Sequence, residues 1–322
     1  MFRRRAPQDG VTATVSGPRA APDDRPGSPA SVSPAPAPAS AAPGPGPAGR
    51  DPGGPPPPGV DASTAHPARM WNYWLGGRDY FAADRTAGDE VGREFTHVAE
   101  MARAERAFLV RAVRFLAGPA RIRQFLDIGA GLPAGGNTHE IAQRIAPDTG
   151  VVYADNDPVV LAHAMALLAS PMLASTPEGV VRYIDADLRD VAAVLAGSAG
   201  TLDHGRPVAL MLLGVLGYVD DFGAARSITS QLMDALPAGS YLAIADGVAA
   251  SEFVGNAHQR YNERAATPYH LRRPEQLASF FDGLDLVEPG IVPCPQWKPD
   301  ARDEGGGPPG EAVAYCGVAR KR

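Results

Sequence analysis

The chain has 322 residues, with 30 Lys and Arg against 36 Asp and Glu and a formal net charge of −6. This acidic balance argues against a nucleic-acid-binding protein, which usually presents a basic face to phosphates. Two cysteines are too few for a disulfide scaffold, and neither they nor the seven scattered histidines show metal-ligand spacing, so no metal site is predicted. No apolar run approaches the roughly 20 residues of a membrane helix, and no signal peptide is evident. We therefore expect a cytoplasmic protein that neither binds nucleic acid nor spans a membrane.

The first 60 residues differ in composition from the rest of the chain. They hold 16 of the 33 prolines, and the one aromatic residue among them is Phe2. Such a segment buries too little apolar surface to offset the entropy of ordering the chain. Residues 1–62 are therefore predicted to be a disordered tail, partly in polyproline II conformation. This tail either remains solvated or presents a proline-rich ligand to a partner.

Beyond the tail, the apolar residues of 97–117 recur at helical spacing, and Gly118-Pro119 should end that helix. Residues 63–119 are predicted to form a helical cap, and residues 120–322 an α/β domain. In this domain strands alternate with helices, which is typical of a parallel sheet covered on both faces. The last two strands have no helix between them and should pair antiparallel. The predicted strands are 122–128, 151–154, 180–184, 208–213, 241–245, 284–292 and 312–319.

Two helices of the α/β domain begin with recognisable capping residues. Asn137 precedes Glu140 by three positions, which is the arrangement of a capping box. Asp157 followed by Pro158 places an acidic N-cap before a proline at the first helical position. We therefore interpret Asp157 as a helix cap rather than as a ligand-binding residue.

Glycines and acids follow three successive strands, at the sheet edge where open α/β sheets bind their ligands. The first strand runs into Asp127-Ile128-Gly129-Ala130-Gly131, whose glycines permit a tight turn and close approach of a ligand. Asp155 follows the second strand, where a carboxylate can accept hydrogen bonds from both hydroxyls of a ribose. Asp187 follows the third strand, in place to meet an adenine amino group. The predicted nucleoside site comprises Asp127, Gly129, Gly131, Asp155, Asn156, Asp187, Leu188 and Gly214.

Each part of this pattern also has a purely structural interpretation. A lone Gly-x-Gly is often only a turn, and Asp155 or Asp187 alone would be ordinary at a solvated strand end. The loop from Gly214 to Asp220 follows the fourth strand and is expected to line the far side of the same pocket. The combination at four successive strands, rather than any single residue, favours a ligand site.

Seven consecutive residues of the cap, Trp71-Asn72-Tyr73-Trp74-Leu75-Gly76-Gly77, form the most distinctive motif of the chain. Together with segments 106–109, 124–129, 153–158, 186–189 and 269–272, this motif resembles the class I S-adenosylmethionine-dependent methyltransferases. The resemblance is closer to an actinobacterial S-adenosyl methyltransferase family, formerly classed as a domain of unknown function, and covers residues 66–319. It implies a Rossmann-like seven-stranded sheet with an antiparallel last strand, and S-adenosylmethionine as the cofactor.

The resemblance also implies roles for individual residues. The turn at Gly129 and Gly131 would lie under the methionine part of the cofactor, Asp155 would hold the ribose, and Asp187 would hold the adenine. Members of the wider class often carry His or Phe where this chain has Gly217. This departure leaves Tyr218 as the acid–base candidate of that loop, and no catalytic base is identified.

The cap is rich in aromatic residues, and two interpretations of them stay open. The rings either pack the cap onto the sheet or form a lid over cofactor and acceptor, with backbone freedom at Gly76-Gly77. Arginines of the cap would pair with the cofactor carboxylate or an acidic acceptor, or would form ordinary surface ion pairs. The predicted lid and acceptor residues are Trp71, Asn72, Tyr73, Trp74, Arg78, Arg106 and Tyr218.

These expectations favour a methyltransferase that acts on a small molecule by in-line displacement, which positioning and water exclusion can accelerate. Two alternatives stay open. Residues 129–134 match the G-x-G-x-x-A pattern of a nicotinamide-dependent oxidoreductase. Against it, Pro133 is awkward in the helix that this motif opens, and Asp127 would place negative charge near a pyrophosphate. The other alternative is a regulator that binds the cofactor without transferring its methyl group.

Overall fold

The computed structural model describes residues 60–133, 135–168, 179–249, 251, 255, 258–259, 262, 267–299 and 313–322. Residues 1–59 of the predicted tail lie outside the described residues. The α-helices are α1 (Pro67–Trp74), α2 (Ala82–Glu94), α3 (Val98–Ala117), α4 (Thr138–Ile145), α5 (Pro158–Leu168), α6 (Val191–Ala199), α7 (Phe222–Asp234) and α8 (Pro274–Ala278). The strands are β1 (Gln124–Ile128), β2 (Gly150–Asp155), β3 (Val181–Asp185), β4 (Ala209–Leu213), β5 (Tyr241–Gly247), β6 (Asp285–Leu286), β7 (Val292–Pro293) and β8 (Ala314–Arg320).

The strands form one sheet in the order β3-β2-β1-β4-β5-β8-β6. Strands β1 to β5 pair in parallel, whereas β8 pairs antiparallel with β5 on one side and with β6 on the other. This arrangement confirms the predicted Rossmann-like α/β class with an antiparallel last strand. Because β1 to β4 are parallel neighbours, their carboxyl ends share one edge of the sheet.

The terminal strands differ in detail from the sequence prediction. In place of one strand over 284–292, the two short strands β6 and β7 both pair antiparallel with β8. Glu288-Pro289-Gly290 separates them, since proline lacks the N–H donor that a central strand needs and Gly290 has a φ of 87°. The sheet of the described residues therefore has eight strands rather than seven.

Apolar residues cover both faces of the sheet, as expected for parallel strands packed between helices. On one face, Leu126 and Ile128 of β1 belong to a core shared with α6, α7 and α8. On the other face, Phe125 packs with α3, where Phe108 and Trp297 meet edge to face with ring centroids 5.2 Å apart. No helix in the described ranges is long and apolar enough to cross a membrane.

A buried ion pair joins the first two helices of the cap. Arg69 of α1 and Asp84 of α2 meet at 3.0 Å, and neither side chain is more than 3% exposed. Asp84 also accepts the backbone N–H groups of His66 and Phe81, and Arg69 donates to the backbone oxygen of Asp61. The chain is therefore already attached to the cap at Asp61, within the last residues of the predicted tail.

One of the two capping predictions is confirmed and the other is wrong. Asp157 Oδ1 accepts the backbone N–H of Val159 at 2.8 Å, as an N-cap does. Asn137 precedes α4, but its side chain makes no capping hydrogen bond, because its Oδ1 accepts from Arg106 instead. Glu140 reaches back as a capping box requires, yet it accepts from the Asn137 side-chain amide.

Candidate functional site

A cavity of about 350 Å³ lies at the edge of the sheet where β1 to β4 end. This volume is within the range of small-molecule sites. All the residues of the predicted nucleoside site line the cavity, and so do four of the predicted lid and acceptor residues. The former are Asp127, Gly129, Gly131, Asp155, Asn156, Asp187, Leu188 and Gly214, and the latter are Trp71, Asn72, Arg106 and Tyr218.

The turn after β1 depends on its two glycines. Gly129 has a φ of 74° and Gly131 a φ of 63°, a left-handed conformation that other residues rarely adopt. A side chain on Gly129 would collide with Val215, which lies 2.5 Å from the Cβ position. Nothing in the described part of the chain lies within 4 Å of the corresponding position on Gly131. The backbone at Gly131 therefore borders open space in which a ligand can approach it.

The Asp155 carboxylate has two of its acceptor positions filled by the protein. Its Oδ2 accepts the backbone N–H of Gly131 and its Oδ1 that of Asp157, each at 2.9 Å. Burial raises the pKa of Asp155 above its ordinary value, although these two hydrogen bonds favour the charged form. Because a carboxylate offers about four acceptor positions, one remains on each oxygen. Asp155 can thus accept two further donors, which is the number of hydroxyls on a ribose.

Asp187 differs from Asp155 because its carboxylate is already saturated. Its two oxygens accept four hydrogen bonds, from the backbone N–H, Nε and Nη2 of Arg189 and from Nδ2 of Asn156. Burial alone would raise the pKa of Asp187, but the hydrogen bonds from Arg189 and Asn156 outweigh it and lower the pKa. A donor on a ligand would reach Asp187 only by replacing one of these bonds.

Asp127 lines the same cavity and is 5% exposed. Burial raises its pKa to about 6, although the hydrogen bond from Thr138 and the charge of Arg106 both favour the ionised form. Thr138 Oγ1 donates to Asp127 Oδ2 at 2.7 Å. Arg106 donates to the oxygen of Gly135 and to Asn137 Oδ1, at 3.1 and 3.0 Å. Arg106 therefore connects α3 to the loop after β1 in addition to lining the cavity.

A second, smaller cavity of about 50 Å³ is lined by residues of the cap and of the α/β domain. Pro67, Trp71 and Tyr218 line both cavities, so the two spaces are neighbours. The wall of the second cavity is mostly apolar, and we call this space the apolar cavity. Its other lining residues include Met70, Trp74, Phe95, Met101, Tyr269 and Leu271.

Tyr269 explains why residue 217 is a glycine. The Cβ position on Gly217 lies 2.3 Å from the Tyr269 ring, so any side chain there would displace this tyrosine. Tyr269 packs edge to face against Tyr218 with ring centroids 4.9 Å apart, and its hydroxyl accepts the backbone N–H of Gly247 at 3.2 Å. An aromatic ring from a later loop thus occupies the place of the missing side chain. Tyr269 was not among the predicted site residues.

The remaining predicted lid and acceptor residues take different places. Trp74 lines the apolar cavity but not the larger cavity. Tyr73 lines neither of the two cavities formed by the described residues, because its hydroxyl donates to Asp89 and its ring packs against Tyr80. Arg78 is exposed and lines neither cavity. The cap therefore uses some of its rings for internal packing and others to line the cavities.

Glu105 of α3 is a cavity residue that was not among the predicted site residues. It lines the larger cavity, is 4% exposed, and its Oε1 has no hydrogen-bond partner among the described residues. Burial, together with repulsion from Asp246, raises the pKa of Glu105 well above its ordinary value. Glu105 lies between Ala102 and Phe108 on the buried face of α3. A charged residue at this position of the apolar pattern could have indicated a functional role. Charged residues are rarely fully buried unless they are paired.

The parallel sheet with its antiparallel last strand, and the glycine turn beside two acids, define a Rossmann-like protein with a nucleoside-sized cavity. The sequence profile of a family described as S-adenosyl methyltransferases matches residues 54–322. The chain therefore belongs to this family, as its resemblance predicted, and is an S-adenosylmethionine-dependent methyltransferase.

Two solved structures are similar to this chain over most of its length. A DUF574 family protein from Streptomyces avermitilis is 44% identical, with a TM-score of 0.76, and the match covers 81% of this chain and 99% of that chain. A candidate methyltransferase from Thermobifida fusca is 39% identical, with a TM-score of 0.74, and the match covers 83% of this chain and 98% of that chain. No protein with a curated description matches the chain.

The cavity fits S-adenosylmethionine, the cofactor of this family. The two open acceptor positions of Asp155 suit a ribose, and the open space beside Gly131 admits a ligand close to the backbone. The family match decides against the nicotinamide alternative, whose motif requires a helix that begins directly within the glycine turn, whereas α4 begins only at Thr138. Within the described ranges, no three His, Cys, Asp or Glu side chains are grouped to hold a metal ion.

Proposed function

We propose that this enzyme methylates a small, mostly apolar molecule that binds in the apolar cavity. The observation that carries the proposal is that Trp71 and Tyr218 line both cavities, so the two spaces are neighbours. The net charge of −6 argues against a nucleic acid as the acceptor. The 50 Å³ of this cavity is less than ligand sites usually enclose. Binding of the acceptor therefore requires the cap to move away from Tyr269.

The strand order supports a direction for the cofactor in the larger cavity. Asp187 follows β3, Asp155 is the last residue of β2, Gly129 follows β1 and Gly214 follows β4, and these strands are neighbours in that order. In the proposed placement, the adenine lies near Asp187 and the ribose on Asp155. The methionine part then lies over Gly129 and extends toward Gly214.

S-adenosylmethionine supplies a methyl group on a sulfonium ion, which is already activated for displacement. The residues of this chain then have to hold the acceptor in line and exclude water, and both effects lower the barrier. Trp71 and Tyr218 are in place to do so, because they border both cavities. His258 also lines the apolar cavity, but burial lowers its pKa to about 4, so it is a neutral and weak base at pH 7.

Truncation of Trp74 tests the acceptor cavity separately from the cofactor cavity. Trp74 lines the apolar cavity but not the larger cavity. Trp74→Ala should therefore lower kcat/KM for the acceptor about tenfold or more and leave the Kd for S-adenosylhomocysteine unchanged. Tyr73→Ala is the matched control, since Tyr73 is the neighbouring aromatic residue of α1 and lines neither cavity. Turnover is measured as S-adenosylhomocysteine release, and cofactor affinity by calorimetry.

The acceptor class is found by supplying S-adenosylmethionine with separate small-molecule, nucleic acid and protein fractions of a cell extract. The proposal expects methyl transfer in the small-molecule fraction, with preference for apolar compounds. Transfer to nucleic acid or protein, or acceptor kinetics that Trp74→Ala leaves unchanged, would contradict it.

We also propose that the enzyme acts in the cytoplasm. Cys294 and Cys316 are both free and buried, and their thiols lie close to each other. Neighbouring thiols that remain unpaired are typical of a reducing compartment.

A further inference from the structure

Glu105 lines the larger cavity beside Gly214, on the β4 side of β1, whereas Asp187 lies on the β3 side. A Cβ atom on Gly214, which follows β4, would lie 3.2 Å from Glu105 Oε2. Asp155 ends β2 and Asp187 follows β3, and both strands lie on the other side of β1. If the adenosine lies at these two acids, the methionine part of the cofactor ends near Glu105.

The protein itself does not satisfy the Glu105 carboxyl group. Its Oε1 has no hydrogen-bond partner among the described residues, and the charged group that acts on it there is Asp246 of β5, which has the same sign. Asp246 in turn faces Arg272 and accepts the backbone N–H of Gly217. The Cys294 thiol also lies near Glu105 and is uncharged at neutral pH, because burial raises its pKa. A buried carboxyl without partners destabilises the protein, so a ligand that supplies donors and positive charge would fit here.

We propose that Glu105 binds the α-ammonium group of the methionine part of S-adenosylmethionine. This inference rests on the cofactor placement proposed above. A primary ammonium group brings three N–H donors and a positive charge, so it offers a donor to the orphaned Oε1 and offsets the repulsion from Asp246. A charge-assisted hydrogen bond in a site shielded from water is among the stronger polar contacts.

The test compares two ligands on one variant. Glu105→Gln keeps the size of the side chain but cannot carry a negative charge against the ammonium group, and should weaken S-adenosylhomocysteine binding about tenfold or more. The variant should bind 5′-methylthioadenosine with the same affinity as the wild type, because this nucleoside lacks the amino-acid part that Glu105 would contact. Glu100→Gln is the matched control, since it makes the same change on α3 at a side chain that is 69% exposed. Both affinities are measured by calorimetry on the full chain.

Unchanged affinity of Glu105→Gln for S-adenosylhomocysteine would overturn the proposal, because Glu105 would then not contact the cofactor. Equal weakening of both ligands would also overturn it, since a general structural fault produces that pattern. If 5′-methylthioadenosine fails to bind even the wild type, the adenosine placement is wrong, and the Glu105 proposal falls with it. If Glu105→Gln does not fold, the same question is tested on the wild-type protein with S-adenosylhomocysteine from which the amino group has been removed. That ligand should bind about tenfold or more weakly than the parent, and equal affinity would overturn the proposal.

Discussion

At the scale of single residues, the acids after β2 and β3 differ in what they can still bind. Asp155 accepts two backbone hydrogen bonds and keeps an open position on each oxygen, whereas Asp187 already accepts four. The sequence pattern gave the two acids equal standing as ligands of a nucleoside. The structure ranks them, because acceptor positions that are filled within the protein are not free for a cofactor.

We therefore predict that Asp155→Ala weakens S-adenosylhomocysteine binding at least about tenfold, since two charge-assisted hydrogen bonds to the ribose are lost. Asp187→Ala should weaken it about threefold or less. Calorimetry with each variant measures the difference, and thermal melting checks that both fold. An analogue of S-adenosylhomocysteine that lacks the 2′- and 3′-hydroxyls should bind the wild type and Asp155→Ala with similar affinity, because it has no hydroxyl to donate to Asp155. A larger loss from Asp187→Ala than from Asp155→Ala would reverse the ranking.

At the scale of elements, the cap depends on the buried pair between Arg69 of α1 and Asp84 of α2. Removing one partner of such a pair leaves an uncompensated buried charge, which costs about 3–5 kcal/mol. Asp84→Asn should therefore lower the opening free energy of α1 and α2 by about 3 kcal/mol. Hydrogen exchange measures this as faster exchange in both helices, with β1 to β5 unchanged.

Glu90→Gln provides the comparison for Asp84→Asn, because Glu90 is an exposed acid on the same helix. It should leave exchange in the cap as it is in the wild type. Equal acceleration in the cap and the sheet after Asp84→Asn would mean that the cap has no independent opening, and so could not act as a lid.

Much of the element structure was predictable because local signals and tertiary structure agree. The helix predicted over 97–117 is α3, and the apolar strand predicted over 208–213 is β4. The capping box at Asn137 failed, because Arg106, about thirty residues earlier, takes the oxygen that would cap the helix. Competition from a distant side chain leaves no trace in the local pattern.

At the scale of the whole molecule, strand order made the cavity predictable. Parallel strands that proceed outward from β1 bring the residues after them to one sheet edge, and all eight residues of the predicted nucleoside site line one cavity there. Tyr269 and Glu105 were missed because each reaches the site from outside this edge. Tyr269 comes from a loop far along the chain, and Glu105 comes from a helix whose buried residues are mostly apolar.

The most direct test of the account is a crystal structure of the full chain with S-adenosylhomocysteine. We expect both ribose hydroxyls on Asp155, the amino group on Glu105, and the sulfur atom facing the apolar cavity between Trp71 and Tyr218. A ligand whose ribose does not touch Asp155, or whose sulfur faces away from these two rings, would contradict the central claim.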